Sequence, residues 1–114
     1  MTITELAKKL NITTSALRYY ESIGLTIADR DEKGNRNYTG IQVERAQRVA
    51  YFRHAGVQIS DLKVLFADEM SDKEAIAMME KAHSNLEDQQ RNISETLAFL
   101  DYKLNYHKKR LKQN

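Results

Sequence analysis

The chain has 114 residues and a formal net charge of +2 at pH 7, with 30% charged residues, four glycines, no proline and no cysteine. This length accommodates one compact unit, or a small unit with an extended arm, and the composition favours helix over sheet. Without cysteine, disulfides, thiolate metal sites and thiol redox switches are excluded, and the short apolar runs exclude a signal peptide or membrane span. We therefore expect a soluble cytoplasmic protein.

Charge is distributed unevenly along the chain. Residues 1–60 carry more basic than acidic side chains, and residues 61–102 carry more acidic than basic ones. The last segment has basic residues and no acid: Lys103, Lys108, Lys109, Arg110 and Lys112. The chain therefore has a basic head, an acidic middle and a basic tail, a pattern that the predicted fold must account for.

The first part of the chain predicts two short helices joined by a tight turn. A helix over residues 3–10, capped by a threonine, is followed by a break at residues 11–12. Thr13 caps a second helix that extends to about Ser22, and Gly24 is expected to end it in the left-handed conformation. Two short helices with a turn of this length form a helix-turn-helix pattern.

The second helix has a polar face and an apolar face. Its polar side carries Thr14, Ser15, Arg18, Tyr19 and Ser22, and its apolar side carries Ala16, Leu17 and Tyr20. The two adjacent tyrosines cannot share a face, because successive residues of a helix lie about 100° apart. We expect the ring of Tyr20 to pack inward and Tyr19 to lie outside beside Arg18.

A small hairpin and two further helices are predicted next. Residues 25–38 indicate a hairpin with Gly34 at its turn, and Arg30 and Arg36 lie on its two arms. A capping box at Thr39 precedes a helix from about residue 41 to residue 54. A fourth short helix spans residues 59–66, with Leu62, Leu65 and Phe66 on its buried side.

A long helix follows the capping box at Ser71. It is expected to span roughly 40 residues, about 60 Å at 1.5 Å per residue. One stripe of this helix, its seam, consists of residues spaced alternately four and three positions apart. Most of them are apolar: Met79, His83, Leu86, Gln90, Ile93, Leu97, Leu100, Leu104, His107 and Leu111. A narrow stripe of this kind needs a partner helix, so it predicts dimerisation through a coiled coil.

The charge distribution favours an antiparallel pair of these helices. In an antiparallel coil, the basic residues 108–112 of one chain lie near acidic residues of its partner, namely Asp68, Glu69, Asp72 and Glu74. A parallel coil would instead place like charges together.

Three motifs together resemble the MerR family of bacterial transcriptional regulators: LRYYESIGL at residues 17–25, Gly34-x-Arg36-x-Tyr38, and Arg53-x-Ala-Gly56. The resemblance is close over the first 70 residues. The coil end is similar to the branch related to aldehyde- and nitrosative-stress regulators. The implied fold is mostly α, with a winged helix-turn-helix head (1–70; four short helices and a β-hairpin wing) and a C-terminal dimerisation helix (71–114).

The resemblance implies a dimeric, sequence-specific regulator of transcription. Such a dimer binds a pseudo-palindromic promoter operator, then bends and untwists the DNA so that RNA polymerase can use the promoter. The chain departs from the family in lacking cysteine, in having Thr26 where a proline is common, and in having Gln58 where a serine often caps the fourth helix. We also expect no separate effector-binding domain, which leaves a small-molecule effector unidentified.

The predicted DNA-binding residues are Thr14, Ser15, Arg18, Tyr19, Tyr20, Arg36, Tyr38 and Arg53. The N-terminal part of a recognition helix faces base edges, and an arginine there binds guanine or a phosphate. The resemblance implies DNA contacts for Arg18, both adjacent tyrosines and the wing pair Arg36 and Tyr38. The alternatives are that the tyrosines only fill the core, that Arg36 is only a solvated charge of the hairpin, and that Arg53 only forms a surface ion pair.

No cofactor, metal site or enzymatic activity is expected. His54 is read as a helix-end residue, while His83 and His107, like Gln90, are read as residues that set the register of the coil. No motif for a nucleophile, a catalytic metal or a phosphate-cradling loop is found. A small effector pocket at the dimer interface, around Tyr51, Phe66, Met70 and Met78 near the junction of coil and head, is an alternative to plain core packing of those residues.

Two other functions remain open at this point. One is an architectural DNA-binding protein resembling the excisionases, which the long coil disfavours. The other is an interaction protein whose coil binds a partner and whose head has lost DNA binding. The polar face with Arg18 and Tyr19 and the wing residue Arg36 disfavour this second alternative.

Overall fold

A computed structural model describes residues 1–113. The elements, in chain order, are α1 (Ile3–Leu10), α2 (Thr14–Ser22), β1 (Asp29–Arg30), β2 (Arg36–Asn37), α3 (Gly40–His54), α4 (Ile59–Phe66) and α5 (Asp72–Gln113). The mostly helical fold, with four short helices, a hairpin wing and a long C-terminal helix, is therefore confirmed.

The chain divides into two compact units, one formed by Met1–Met78 and one that begins at Met79. The boundary predicted after residue 70 lies close to the start of α5 at Asp72. The compact head extends beyond that start and includes the first turns of α5.

The core of the head is formed where α1, α2 and α3 meet. Its buried residues are Leu6, Ala7, Leu10, Leu17, Tyr38, Ala46 and Ala50. Complete burial of a leucine side chain contributes about 1.5–3 kcal/mol, so Leu6 and Leu17, both at 0% exposure, fix how α1 packs on α2.

Local hydrogen bonds define both ends of α1. The N–H of Glu5 donates to Thr2 Oγ1 at 3.2 Å, and the N–H of Thr2 donates to Glu5 Oε1 at 3.0 Å. Thr2 is therefore the threonine that caps α1, and its hydrogen bonds hold the pKa of Glu5 below its ordinary value. At the other end, Asn11 has a φ of 54°, which turns the chain toward α2.

The turn after α2 and the wing use glycines with positive φ. Gly24, with a φ of 81°, follows α2 as predicted, and Gly34, with a φ of 82°, lies in the wing turn. The two strands have two residues each, with Arg30 opposite Arg36. Asp31 Oδ1 accepts the N–H groups of Lys33 and Asn35 at 2.9 and 2.8 Å, which closes the turn.

The starts of α3 and α5 follow the two predicted capping boxes. The N–H of Thr39 donates to Gln42 Oε1 at 2.9 Å, and the N–H of Glu74 donates to Ser71 Oγ at 3.1 Å. Between these starts, the Phe66 ring of α4 packs edge-on against Phe52 of α3, with 6.3 Å between ring centroids.

The long helix α5 has no buried side chain among its described residues. Every predicted apolar seam residue is exposed, from 41% for Leu86 to 75% for Leu111. An amphipathic stripe left open along such a helix needs a partner to cover it. Within residues 1–113, no helix combines the length and apolar character needed to cross a membrane.

Candidate DNA interface

The recognition helix α2 is held by one cap and one buried face. The N–H of Ala16 donates to Thr13 Oγ1 at 3.0 Å, which satisfies a helix-end donor. Leu17 is fully buried in the core, so the opposite face, with Ser15, Arg18 and Tyr19, points to solvent. Packing of the head thus presents a polar helix face with one arginine.

Arg18 and Thr14 lie one helical turn apart on this face. An Arg18 Nη1 group donates to Thr14 Oγ1 at 3.4 Å, and the Arg18 side chain is exposed. Thr14 itself is half-buried. The contact orients the guanidinium toward the N-terminal end of α2, the end that faces base edges in helix-turn-helix proteins.

The two tyrosines separate as the helical geometry predicts. Tyr19 is 50% exposed and Tyr20 is 7% exposed, and their ring centroids lie 6.1 Å apart at a tilt of 53°. Tyr19 is therefore available to a ligand on the polar face. The ring of Tyr20 belongs to the buried side of α2, where it supports the outward orientation of Tyr19.

Glu21 connects α2 to the wing. Its Oε1 accepts a hydrogen bond from an Arg30 Nη2 group at 3.1 Å, and its Oε2 accepts one from Arg36 Nε. The sequence pattern places both arginines on the hairpin arms but does not indicate that they share a partner. The signal that would have found it is that Glu21 is the one acid on α2.

Tyr38 lies beneath the wing rather than on its surface. Its side chain is 2% exposed, and its hydroxyl is buried without a hydrogen-bond partner among the described residues. Burial, with the nearby Glu21 carboxylate as a smaller cause, raises the pKa of Tyr38 above 10.0. The ring therefore lies in the core, where it supports β2, and a DNA contact by Tyr38 stays a prediction.

A groove brings the basic side chains of α2 and the wing together. It has a volume of about 570 Å³ and is lined by Arg18 of α2, by Arg30 and Arg36 of the wing, and by Thr4 of α1. The lining thus contains three guanidinium groups and one carboxylate, that of Asp31. Arginine presents donors in a planar fork that matches phosphate oxygens, so the groove suits a nucleic-acid backbone.

Comparison with known proteins identifies the head. Residues 1–69 match the family model described as MerR HTH family regulatory protein. The chain belongs to the MerR family.

Two relatives match along most of this chain. A Haemophilus influenzae protein, an uncharacterized HTH-type transcriptional regulator, is 26% identical over 114 residues, which covers 95% of this chain and 84% of the relative. The crystal structure of HiNmlR, a MerR family regulator lacking the sensor domain, is bound to promoter DNA. It matches with a TM-score of 0.73 and 26% identity over 95% of this chain and 86% of that one.

A further solved structure matches nearly the whole of this chain but less than half of its own chain. The cryo-EM structure of the EcmrR–DNA complex in EcmrR-RPo has a TM-score of 0.54 and 26% identity, and the match covers 96% of this chain and 40% of that chain.

Arg53, the remaining predicted contact of this MerR chain, is directed elsewhere. An Arg53 Nη1 group donates to the carbonyl oxygen of Val57 at 2.7 Å, and its Nε is buried without a partner within residues 1–113. Arg53 does not line the groove that contains Arg18 and Arg36. The side chain stabilises the chain reversal after α3, so a phosphate contact stays a prediction for its remaining amino group.

Each histidine of this MerR chain has a hydrogen-bonding or aromatic neighbour. His54 Nε2 lies 3.0 Å from the carbonyl oxygen of Leu10, which links the ends of α3 and α1. His83 Nδ1 lies 3.0 Å from Glu87 Oε1, and the His107 ring packs edge-on against Tyr106. The described residues contain no group of three or more potential metal ligands.

A second groove of the MerR head lies between α1 and α3. It has a volume of about 320 Å³ and is lined by residues that include Leu10, Ala50, Tyr51 and His54. Of the residues predicted to form an effector pocket, Tyr51 lines this groove, whereas Phe66 packs on Phe52. A pocket that these residues form with a second chain stays a prediction.

Proposed function

We propose that this chain is a dimeric, sequence-specific transcriptional regulator that binds a pseudo-palindromic promoter operator in the cytoplasm. The observation that carries the proposal is the shared groove of Arg18, Arg30 and Arg36 beside the exposed face of α2. It lies on a MerR head whose relative HiNmlR is bound to promoter DNA.

The exposed polar face of α2 supports a separate role for each of its side chains in DNA binding. The N-terminal part of α2 enters the major groove, where Ser15 and Thr14 face base edges and Arg18 makes a bidentate contact with guanine or clamps a phosphate. Tyr19 donates its hydroxyl to a phosphate. Tyr20 acts from the buried side by holding α2 in place.

The wing binds the DNA backbone beside the major groove. Arg36 contacts a phosphate, while Tyr38 supports β2 from below. Contacts of this kind fix the register of the protein and make affinity salt-dependent, but they carry no sequence information directly. Specificity therefore depends mainly on α2.

The long helix supplies the dimer. Pairing of two α5 helices along Met79, Leu86, Gln90, Ile93, Leu97, Leu100, Leu104 and Leu111 covers side chains that are otherwise exposed. An antiparallel arrangement brings the basic tail toward acidic residues of the partner. It also separates the two heads, so that each one reads half of the operator.

The dimer acts on the promoter by deforming it. Binding between promoter elements that are too far apart, followed by bending and untwisting, realigns them for RNA polymerase. Deformation of this extent costs about 1–6 kcal/mol, so the sequence of the central base steps is also read, through its stiffness. This is the work of a regulator rather than an enzyme.

Selection of genomic fragments by the purified protein tests the proposal. The wild type is compared with Arg18→Ala and with Arg91→Ala, which removes an exposed arginine of α5 that pairs with Asp88 on its own helix. We expect wild type and Arg91→Ala to enrich palindromes within overlong promoter spacers, and Arg18→Ala to enrich none. If no sequence is enriched by the wild type at moderate salt, the head is not a specific DNA reader.

A further inference from the structure

We propose that Glu21 is a positioning residue for DNA binding, which fixes Arg36 against the recognition helix so that helix and wing engage DNA as one unit. The inference rests on the proposed function. Glu21 would thus favour DNA binding although its carboxylate, by charge alone, repels the DNA phosphates.

The geometry is that of one carboxylate shared by two guanidinium groups. Glu21 is the one acid of α2, and its two oxygens accept separately from Arg30 and Arg36. The side chains of Glu21 and Arg36 are only 22% and 21% exposed, whereas that of Arg30 is 46% exposed. The inner pair is thus partly shielded from water and held more firmly than a surface ion pair.

The two arginines use their donors differently. Arg30 donates from Nη2 to Glu21 and from Nη1 to the carbonyl oxygen of Gly34 at 3.4 Å, so both of its amino groups brace the wing. Arg36 donates to Glu21 through Nε, and within residues 1–113 its two amino groups make no other hydrogen bond. These amino groups are therefore available to bind a ligand in the groove that Arg36 shares with Arg18.

The contact between Glu21 and the wing arginines matters because the wing is too small to be stable on its own. Each strand has two residues, and a hairpin of this size is marginal in water without support from neighbouring elements. Glu21 supplies a support that begins on the recognition helix itself. Fixing Arg36 before binding also reduces the side-chain entropy that a phosphate contact would otherwise cost.

Charge and positioning predict effects of opposite sign, which makes the inference testable. The variants are Glu21→Ala and Glu21→Gln, with Glu32→Ala as the control because it removes an exposed acid of the same wing. Loss of a negative charge near DNA should tighten binding slightly. Loss of a positioning residue should instead weaken operator binding by about 10-fold, the scale of one lost phosphate or base contact.

Operator affinity is measured for each variant across a series of salt concentrations. We expect Glu21→Ala to bind about 10-fold more weakly and to reduce the salt slope by about 1, because one phosphate contact is lost. Glu21→Gln, which keeps an acceptor oxygen, should recover part of the affinity, and Glu32→Ala should bind at least as tightly as wild type. Binding by Glu21→Ala as tight as that of Glu32→Ala would overturn the inference.

A double-mutant cycle separates positioning from a general loss of stability. In an Arg36→Ala background, the additional change Glu21→Ala should have little effect on affinity, because the residue that it positions is gone. Equal losses in both backgrounds would overturn the inference. Failure of the wild type itself to bind any operator would instead overturn the proposed function, so the two failures are distinguishable.

The NMR signal of the Arg36 Nε–H provides a readout without DNA. It should be sharp and slow to exchange in the wild type and in Glu21→Gln, and lost in Glu21→Ala. A wild-type signal as fast to exchange as that of an exposed arginine would contradict the proposed anchoring even if Glu21→Ala folds poorly.

Discussion

Arg45 Nε donates a hydrogen bond to the carbonyl oxygen of Leu25 at 2.8 Å, which joins the middle of α3 to the turn that follows the recognition helix. The same guanidinium lies 4.9 Å from the centre of the Phe66 ring on α4. One side chain therefore connects three segments of the head. Leu25 is 2% exposed, so water does not readily replace this donor.

Replacement of Arg45 should destabilise the head. We expect Arg45→Ala to lower the free energy of unfolding by about 2 kcal/mol, because a buried carbonyl loses a charged donor and the Phe66 ring loses its cation. Arg45→Lys should cost about 1 kcal/mol, since lysine lacks the planar group that both contacts use. Urea denaturation at fixed protein concentration measures both, with the exposed Arg48→Ala as the control. Equal stability of Arg45→Ala and Arg48→Ala would contradict the prediction.

Thr26 is a buried residue that carries an unused hydroxyl. It is 1% exposed, and its Oγ1 has no hydrogen-bond partner in the part of the chain that the structure describes. Thr26→Val removes this polar group at similar volume, so we expect a gain of about 1 kcal/mol in the free energy of unfolding. Thr26→Ser keeps the hydroxyl and loses a methyl group, so it should lose about 1 kcal/mol. Urea denaturation of the pair checks the order, and a Thr26→Val variant less stable than Thr26→Ser would refute it.

Features fixed by neighbouring residues were predictable from the sequence. Thr13, Thr39 and Ser71 mark helix starts because a cap acts on donors only two or three positions away. The opposite burial of Tyr19 and Tyr20 follows from the helical angle alone. The positive φ of Gly24 follows from the backbone freedom of that residue at a helix end.

Pairings between distant segments were not predictable in the same way. Nothing local indicates that Glu21 meets one arginine from each arm of the wing. The position of Tyr38 beside an arginine pattern suggested a surface contact, whereas packing of β2 on the core buries the ring. Such partners depend on how elements pack, which a residue pattern does not specify.

The raised pKa of Tyr38 predicts sensitivity to alkaline conditions. A group whose pKa is higher in the folded state contributes stability that is complete below the unfolded pKa and is lost as pH rises through the folded pKa. We therefore expect the free energy of unfolding to fall as pH rises above 10.0. Tyr38→Phe removes this titration and should show a smaller fall, whereas Tyr102→Phe, at a 69% exposed tyrosine, should follow the wild type. Parallel curves for wild type and Tyr38→Phe between pH 9 and 11 would contradict the assignment.

A charge placed in the α5 seam should separate the dimer. Leu97 and Tyr102 are both exposed on the isolated helix, at 57% and 69%, but five residues of rotation place them about 140° apart. Leu97→Glu buries a charge between the paired helices, so we expect monomers at micromolar concentration and a loss of operator affinity of at least about 10-fold as the two half-sites bind independently. Tyr102→Glu, on the other side of the helix, should remain dimeric.

Sedimentation equilibrium at fixed salt distinguishes the two variants by mass. A dimeric Leu97→Glu together with a monomeric Tyr102→Glu would place the contact on the aromatic face that Tyr102 shares with Phe99 and Tyr106. Dissociation of Leu97→Glu alone would mean that the stripe of leucines joins the two chains. Operator affinity measured with the same samples should then fall with the dimer fraction, because the paired helices hold two heads on one DNA site.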